Sequence, residues 1–298
     1  MPIINCNNLT KKYESKLALD NVTFSIDENK IIGLIGRNGA GKSTLLKTCA
    51  GYIKPSSGSI TLWDEPIFDN LNVLSRLIFI DEEIQYDTTL KLKDILTLAK
   101  VYYENWDEKL ALNLLHYFEL NSKLKYAKLS RGMKTQFNII MGICSHMPIT
   151  LFDEPTLGLD AAVRKEFYNI LLKDFINYPR TIIISSHMLH ELENLLEEII
   201  IIKEGKFLLQ KPIEVIQNYG ITLNGSRETI TSFIRNHKIL YKNELGDSIT
   251  VGIENTISDK DIKYLKEKGI LINKINTEDA CIYLTSHGKE GEFDGFIS

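Results

Sequence analysis

Eight consecutive residues, Gly36-Arg37-Asn38-Gly39-Ala40-Gly41-Lys42-Ser43, fit the spacing G-x-x-x-x-G-K-[ST], and Thr44 follows them. Glycines at this spacing let successive backbone N–H groups converge on one point, where a helix N-terminus adds its partial positive charge. In such a loop Lys42 reaches the β- and γ-phosphates of a nucleoside triphosphate, and the Ser43 hydroxyl offers a ligand to Mg²⁺. Gly36, Asn38, Gly39, Ala40, Gly41, Lys42, Ser43 and Thr44 are therefore the candidate nucleotide-binding residues. The chemistry requires a buried strand before the loop and a helix after it. The apolar run Ile31-Ile32-Gly33-Leu34-Ile35 and the helical pattern Lys42 to Ala50 supply both.

A second constellation lies at Ile149-Thr150-Leu151-Phe152-Asp153-Glu154, where an apolar strand ends in two adjacent acids. Asp153 is placed to hold the metal through water, and Glu154 to polarise the attacking water as general base. Without a phosphate cradle elsewhere in the chain, Glu154 would read as a strand-end carboxylate in solvent.

Taken together these residues resemble the ATP-binding cassette family, and further motifs in that family's order extend the resemblance over roughly residues 1 to 215. The resemblance implies that Tyr13 stacks on adenine and that Ser130 and Gly132, in Leu129-Ser130-Arg131-Gly132-Met133-Lys134, bind the γ-phosphate of a second subunit's ATP. Arg131 and Met133 stand where the family's LSGGQ signature has glycine and glutamine. The variant is similar to that of single-domain ATPases of bacterial drug and antimicrobial-peptide exporters, with the phenol-soluble-modulin exporters as one candidate group. Asp160, in Thr156-Leu157-Gly158-Leu159-Asp160, matches the loop through which two ATP sites communicate. His187, after Ser185-Ser186, matches the switch histidine that bonds the γ-phosphate and orients Glu154. Glu82 stands where the family usually has a glutamine that touches Mg²⁺ and senses the membrane partner, with Gln85 just beyond. Read without the family, Ser130 is a helix cap, Asp160 a helix-start acid, Tyr13 an exposed loop tyrosine and Glu82 part of a solvated acidic loop.

Buried-strand runs recur at 149–152, 181–185 and 199–202 with helical patterns between them, which predicts an α/β fold. Ile3 to Leu9 and Val22 to Ile26 read as strands of an antiparallel β subdomain joined by a turn-rich loop, and 199–209 as a hairpin. Between about 84 and 148 a helical insertion is expected, with Leu92, Ile95, Leu96, Ala99, Tyr102, Tyr103 and Trp106 at helical spacing. After Tyr219 short alternating elements predict a small α+β domain, giving a P-loop NTPase cassette over 1–218 and an accessory domain over 219–298 with a frayed tail at 288–295.

The 298 residues, 44% hydrophobic and 25% charged, suit a globular chain of about two domains. Four scattered cysteines at no metal-ligand spacing argue against a disulfide scaffold, and a net charge of -4 gives no reason to expect nucleic acid as the main partner. No signal peptide or membrane span is read. The expectation is an ATP- and Mg²⁺-dependent ATPase at the cytoplasmic face of a bacterial membrane. It would power a separate integral-membrane subunit, as a homodimer or with a paralogous ATPase, and export peptides or amphipathic drugs. A cytosolic, non-transport cassette protein and a weakly hydrolysing regulatory module are the alternatives.

Overall fold

A computed structural model of the protein describes residues 2–285. The tail expected to fray, 288–295, lies outside the described residues. The chain forms two compact units, 1–210 and 211–298, so the division falls eight residues before the one read from composition. The helix Ile213–Gln217, which buries Ile213 and Ile216, belongs with the second unit, where it packs against the unit's last helix.

In the first unit, strands β1 (Pro2–Tyr13) and β2 (Lys16–Asp27) are longer than the sequence pattern suggests and are joined by only two residues. Irregular register between them accounts for the gap in alternation, because β-bulges interrupt the period of two. The cradle strand β3 (Ile31–Ile35) leads to α1 (Lys42–Cys49), followed by β4 (Ser57–Leu62), β5 (Glu65–Pro66), the short helix α2 (Leu71–Leu74) and β6 (Leu77–Ile80). The helical insertion contains α3 (Leu92–Tyr102), α4 (Glu108–Tyr117) and α5 (Arg131–Cys144). Then come β7 (Ile149–Asp153), α6 (Ala161–Asn177), β8 (Thr181–Ser186), α7 (Leu189–Leu192), β9 (Glu198–Lys203) and β10 (Lys206–Pro212).

Two sheets result. The antiparallel one has the order β2-β1-β4-β5, and the six-stranded one the order β10-β9-β3-β8-β7-β6, with β9, β3, β8, β7 and β6 parallel. All five residues of β3 and of β7 are buried, as expected for parallel strands covered on both faces. Ile4, Leu9 and Leu19 of the antiparallel sheet share one core cluster with Leu45 and Leu46 of α1 and with Ile32 and Leu34 of β3. That packing anchors the cradle helix from both sides. The turn between β9 and β10, Glu204-Gly205, has two positive φ angles, the backbone that a two-residue hairpin prefers.

The insertion corrects one expectation. Leu92, Ile95, Leu96 and Ala99 form the buried face of α3, but Tyr102 is 78% exposed and Tyr103 and Trp106 lie beyond the helix end. The two rings stack on each other instead, with centroids 6.3 Å apart.

In the second unit α8 (Ile213–Gln217) precedes β11 (Gly220–Ser226), α9 (Arg227–Phe233), β12 (Ile239–Leu245), β13 (Ser248–Glu254), α10 (Asp259–Glu267), β14 (Leu271–Lys274) and α11 (Thr277–Thr285). The sheet order β12-β13-β11-β14 is antiparallel throughout, which makes β11 to β14 a split βαβ arrangement, βαββαβ. Ile221, Leu223, Ile249, Val251 and Ile253 form one sheet face, and Ile230 and Leu265 from the two helices close the core over it. On the opposite face Thr222 bonds Tyr241 at 2.6 Å, and Tyr241 stacks on Tyr283 of α11.

Candidate nucleotide-binding site

The eight-residue cradle begins where β3 ends, because Ile35 is the last residue paired to both β8 and β9. Gly36 has no room for a side chain: a Cβ there would lie 2.4 Å from the Ile202 carbonyl oxygen. Gly39 and Gly41 have φ angles of 82° and 108°, which a side-chain-bearing residue rarely adopts. A Cβ on Gly41 would also approach the Ala18 carbonyl oxygen to 2.6 Å. Ala40 closes the loop by donating to the Arg37 carbonyl and accepting from the Gly205 N–H, so the β9–β10 turn buttresses the cradle.

These residues open into a cavity of about 260 Å³ lined by Tyr13, Asn38, Gly39, Gly41, Lys42, Ser43, Thr44 and Glu154, among others. Tyr13 sits at the end of β1 rather than in a loop, 42% exposed, with the Lys11 ammonium 5.0 Å from its ring centroid. One face of that ring can stack on a base while the cation polarises the ring.

Lys42 is 5% exposed. Its Nζ donates to the Gly36 carbonyl at 2.6 Å and lies 3.0 Å from Glu154 Oε1. The other Glu154 oxygen, Oε2, meets Nδ1 of His187 at 3.0 Å. Loop cation, strand-end carboxylate and the His187 imidazole are therefore linked in one chain, although His187 lies 145 positions beyond Lys42 in the sequence.

Sequence reasoning missed what holds Glu154 in place. Its φ of 47° lies in the left-handed region, a strained backbone for a non-glycine residue. The Glu154 N–H donates to Ser185 Oγ at 2.8 Å, and that hydroxyl donates to Asp153 Oδ1 at 2.6 Å. Ser185 is fully buried and pairs in register with Asp153 across β7 and β8. The available signal was a hydroxyl closing the apolar run Ile182-Ile183-Ile184 directly before the Ser186-His187 pair.

Asp153, 9% exposed, and Ser43, which lines the cavity, supply hard oxygen donors suited to Mg²⁺. No group of three or more His, Cys, Asp or Glu side chains gathers as a metal cluster among the described residues. Glu82, the third expected ligand, is engaged elsewhere: its Oε2 lies 2.6 Å from Nη2 of Arg131. The acid next to it, Asp81, lies 3.6 Å from the Lys47 ammonium. Burial lifts its carboxyl above the usual carboxylate range, Lys47 opposes that shift, and the Asp153 charge adds to it.

Ser130, Gly132 and Asp160 do not line the cavity. Ser130 caps α5 by accepting from the Met133 N–H at 3.3 Å, and Asp160 caps α6 by accepting from the Val163 N–H at 3.0 Å. Both caps leave other N–H groups at the helix start free to face a ligand.

The profile of the ABC transporter family matches residues 19–157. The bacitracin transport ATP-binding protein BcrA of Bacillus licheniformis is 34% identical over 218 residues, which span 71% of this chain and 70% of that protein. The ABC transporter ATP-binding protein YtrB of Bacillus subtilis is 24% identical over 283 residues, 94% of this chain and 97% of that protein, so the likeness reaches into the second unit. Among solved structures, an ATP-binding subunit of an ABC transporter superposes with a TM-score of 0.64 at 26% identity, covering 72% of this chain and 92% of that one. With its phosphate cradle and Glu154 lining one cavity and His187 bonded to Glu154, this chain belongs to the ABC transporter family as an ATP-hydrolysing subunit.

Proposed function

We propose that the protein powers a bacterial exporter, with Glu154 as the general base and His187 as the residue that orients it. The observation that supports this reading is the Lys42–Glu154–His187 chain, in which Glu154 lines the cavity of the phosphate cradle. Phosphate oxygens compete with Glu154 for Lys42, because both are anions seeking one buried ammonium. When the phosphates take Lys42, one carboxylate oxygen of Glu154 is released for the attacking water and the other stays on His187. Ser43 and Asp153 would hold Mg²⁺, which would supply charge that neutralises the phosphates.

Two copies, or this chain with a paralogous ATPase, clamp two ATP molecules between Lys42 of one and Ser130 and Gly132 of the other, and Asp160 relays between the sites. ATP is then a dimerising ligand that favours the closed member of two states. An integral-membrane subunit docks on the helical insertion, where Leu98, Val101 and Tyr102 present an apolar surface on α3. The protein's own part is peripheral, since no helix among the described residues is long and apolar enough to cross a membrane. The relative that transports bacitracin supports amphipathic peptides or drugs as cargo, exported from the cytoplasmic face.

Glu154→Gln is the test. Turnover is expected to disappear while ATP still drives a stable dimer, measured by phosphate release and by sedimentation with and without ATP. Continued hydrolysis would remove Glu154 from the role of base, and a chain that stays monomeric with ATP would remove the two-copy clamp.

A further inference from the structure

The loop after β6 carries three consecutive acids, Asp81, Glu82 and Glu83, and cations from two different helices grip it. Lys47 of α1 lies 3.6 Å from Asp81 Oδ2 and 2.5 Å from Glu83 Oε2. Arg131, the first residue of α5, lies 2.6 Å from Glu82 Oε2. Lys47 is five residues beyond Lys42 on the cradle helix, so ion pairs through this loop link that helix to the start of α5, while Asn138 farther along α5 donates to the Asp81 carbonyl at 3.4 Å.

Arg131 also reaches a third segment. The Cβ position of Gly158 is 3.7 Å from both Cδ and Nε of Arg131, and Thr135 Oγ1 donates to the Leu157 carbonyl at 3.4 Å. Gly158 has a φ of 84°, and its bare backbone leaves space along which the arginine stem lies. The same turn continues to Asp160, the cap of α6.

On the resemblance drawn from the sequence, Glu82 and Arg131 stand where the family usually has a neutral glutamine and glycine, and these two side chains meet. We infer that they are a matched pair in which Arg131 is a positioning residue. Through Glu82 it ties the acidic loop, the start of α5 and the turn at 157–158 into one unit that moves together with the cradle helix. The consequence for dimer formation rests on the two-copy clamp proposed above; the tether itself does not. Both side chains are more than half exposed, so as an isolated bond the pair is weak, and its effect lies in registering three segments that contribute to one surface.

A double-mutant cycle on the full chain tests this, with Glu82→Gln, Arg131→Gln, the two combined, and the reversed pair E82R/R131E. The first readout is hydrogen exchange of the Leu157 and Leu159 amides, which donate within the 154–159 turn. Each single variant is expected to accelerate their exchange about two- to fivefold, the range of an exposed ion pair, with the double no faster than either single and the reversed pair restoring protection. Unchanged exchange, or single effects that simply multiply in the double, overturns the tether. The second readout is ATP-driven dimerisation in the Glu154→Gln background, where the same pattern of loss and restoration is expected at an unchanged urea midpoint. Singles that dimerise as tightly as the parent overturn the positioning role. A parent that never dimerises with ATP refutes the clamp, while the exchange cycle still decides the tether.

Discussion

Ser185→Ala removes one hydroxyl that serves two partners at the heart of the site. The mutation deletes the 2.6 Å bond to the Asp153 carboxylate and strips the Glu154 N–H of its 2.8 Å acceptor. A hydrogen bond to a charged group contributes about 1.5–3 kcal/mol, and a buried donor left without a partner costs about 1–3 kcal/mol. The terms overlap, because both come from one deleted atom, and a net loss of about 3 kcal/mol is the working value. Ser185 is fully buried, so water cannot substitute without opening the β7–β8 pair. Both tryptophans of the chain, Trp63 and Trp106, lie in the first unit, which makes their fluorescence during urea unfolding a report on that unit alone. With a urea dependence of about 1–3 kcal/mol/M, the midpoint is expected to fall by about 1–3 M. The same deletion frees the left-handed backbone of Glu154, so its carboxylate is no longer fixed, and a misplacement of about 1 Å lowers turnover roughly 10²-fold. A midpoint within about 0.2 M of the parent, together with turnover within about twofold, would refute both the bookkeeping and the assignment of Ser185 as the anchor of Glu154.

Gly36→Ala would drive a methyl to 2.4 Å from the Ile202 carbonyl, and because that neighbour is backbone the cradle must shift away from β9; about 1–3 kcal/mol of stability and most of the nucleotide affinity are expected to go, as measured by urea unfolding and nucleotide titration. All four cysteines are buried, and burial pushes the Cys6 and Cys281 thiols up to about 12 and those of Cys49 and Cys144 well above their usual value. They are therefore neutral thiols at pH 8, and a thiolate-selective reagent should leave the folded chain unlabelled and label all four sites once it is denatured. Rapid labelling of the native protein at any of them would contradict this packing.

The cradle was legible because its chemistry is local: glycine, lysine and hydroxyl must follow one another, and the strand before them is apolar without interruption. His187 and the Asp153-Glu154 pair were legible for a related reason, since each closes a buried strand. Ser185 was not, because its function depends on the register of β7 against β8, a pairing between residues 32 apart that no spacing rule encodes. Strand β4 was also missed: its pairing partner is β1, some fifty residues earlier, and Ser57-Gly58-Ser59 reads as a turn by composition. Tyr102, Tyr103 and Trp106 kept helical spacing past the point where the helix stops, since periodicity does not show that Tyr103 leaves helical geometry with ψ near 113°. The accessory unit was read more completely because its strands alternate cleanly, yet α11 escaped, its buried Ala280 and Cys281 being too few to make an apolar stripe.

The edges of the second unit's sheet carry their own protection against self-association. Strand β12 exposes a free row of backbone donors and acceptors, the usual template on which a second chain adds a strand. Its pairing with β13 is irregular between Ile239 and Tyr241, which bends the row, and its outer half carries Lys242 and Glu244, the latter held by Arg227 at 2.8 Å. At the opposite edge β14 is only four residues long. An incoming strand would have to straighten the bulge and dehydrate an ion pair at one edge, or settle for a few hydrogen bonds at the other. This sheet therefore resists polymerising through its edges, even where many copies are crowded beside one another.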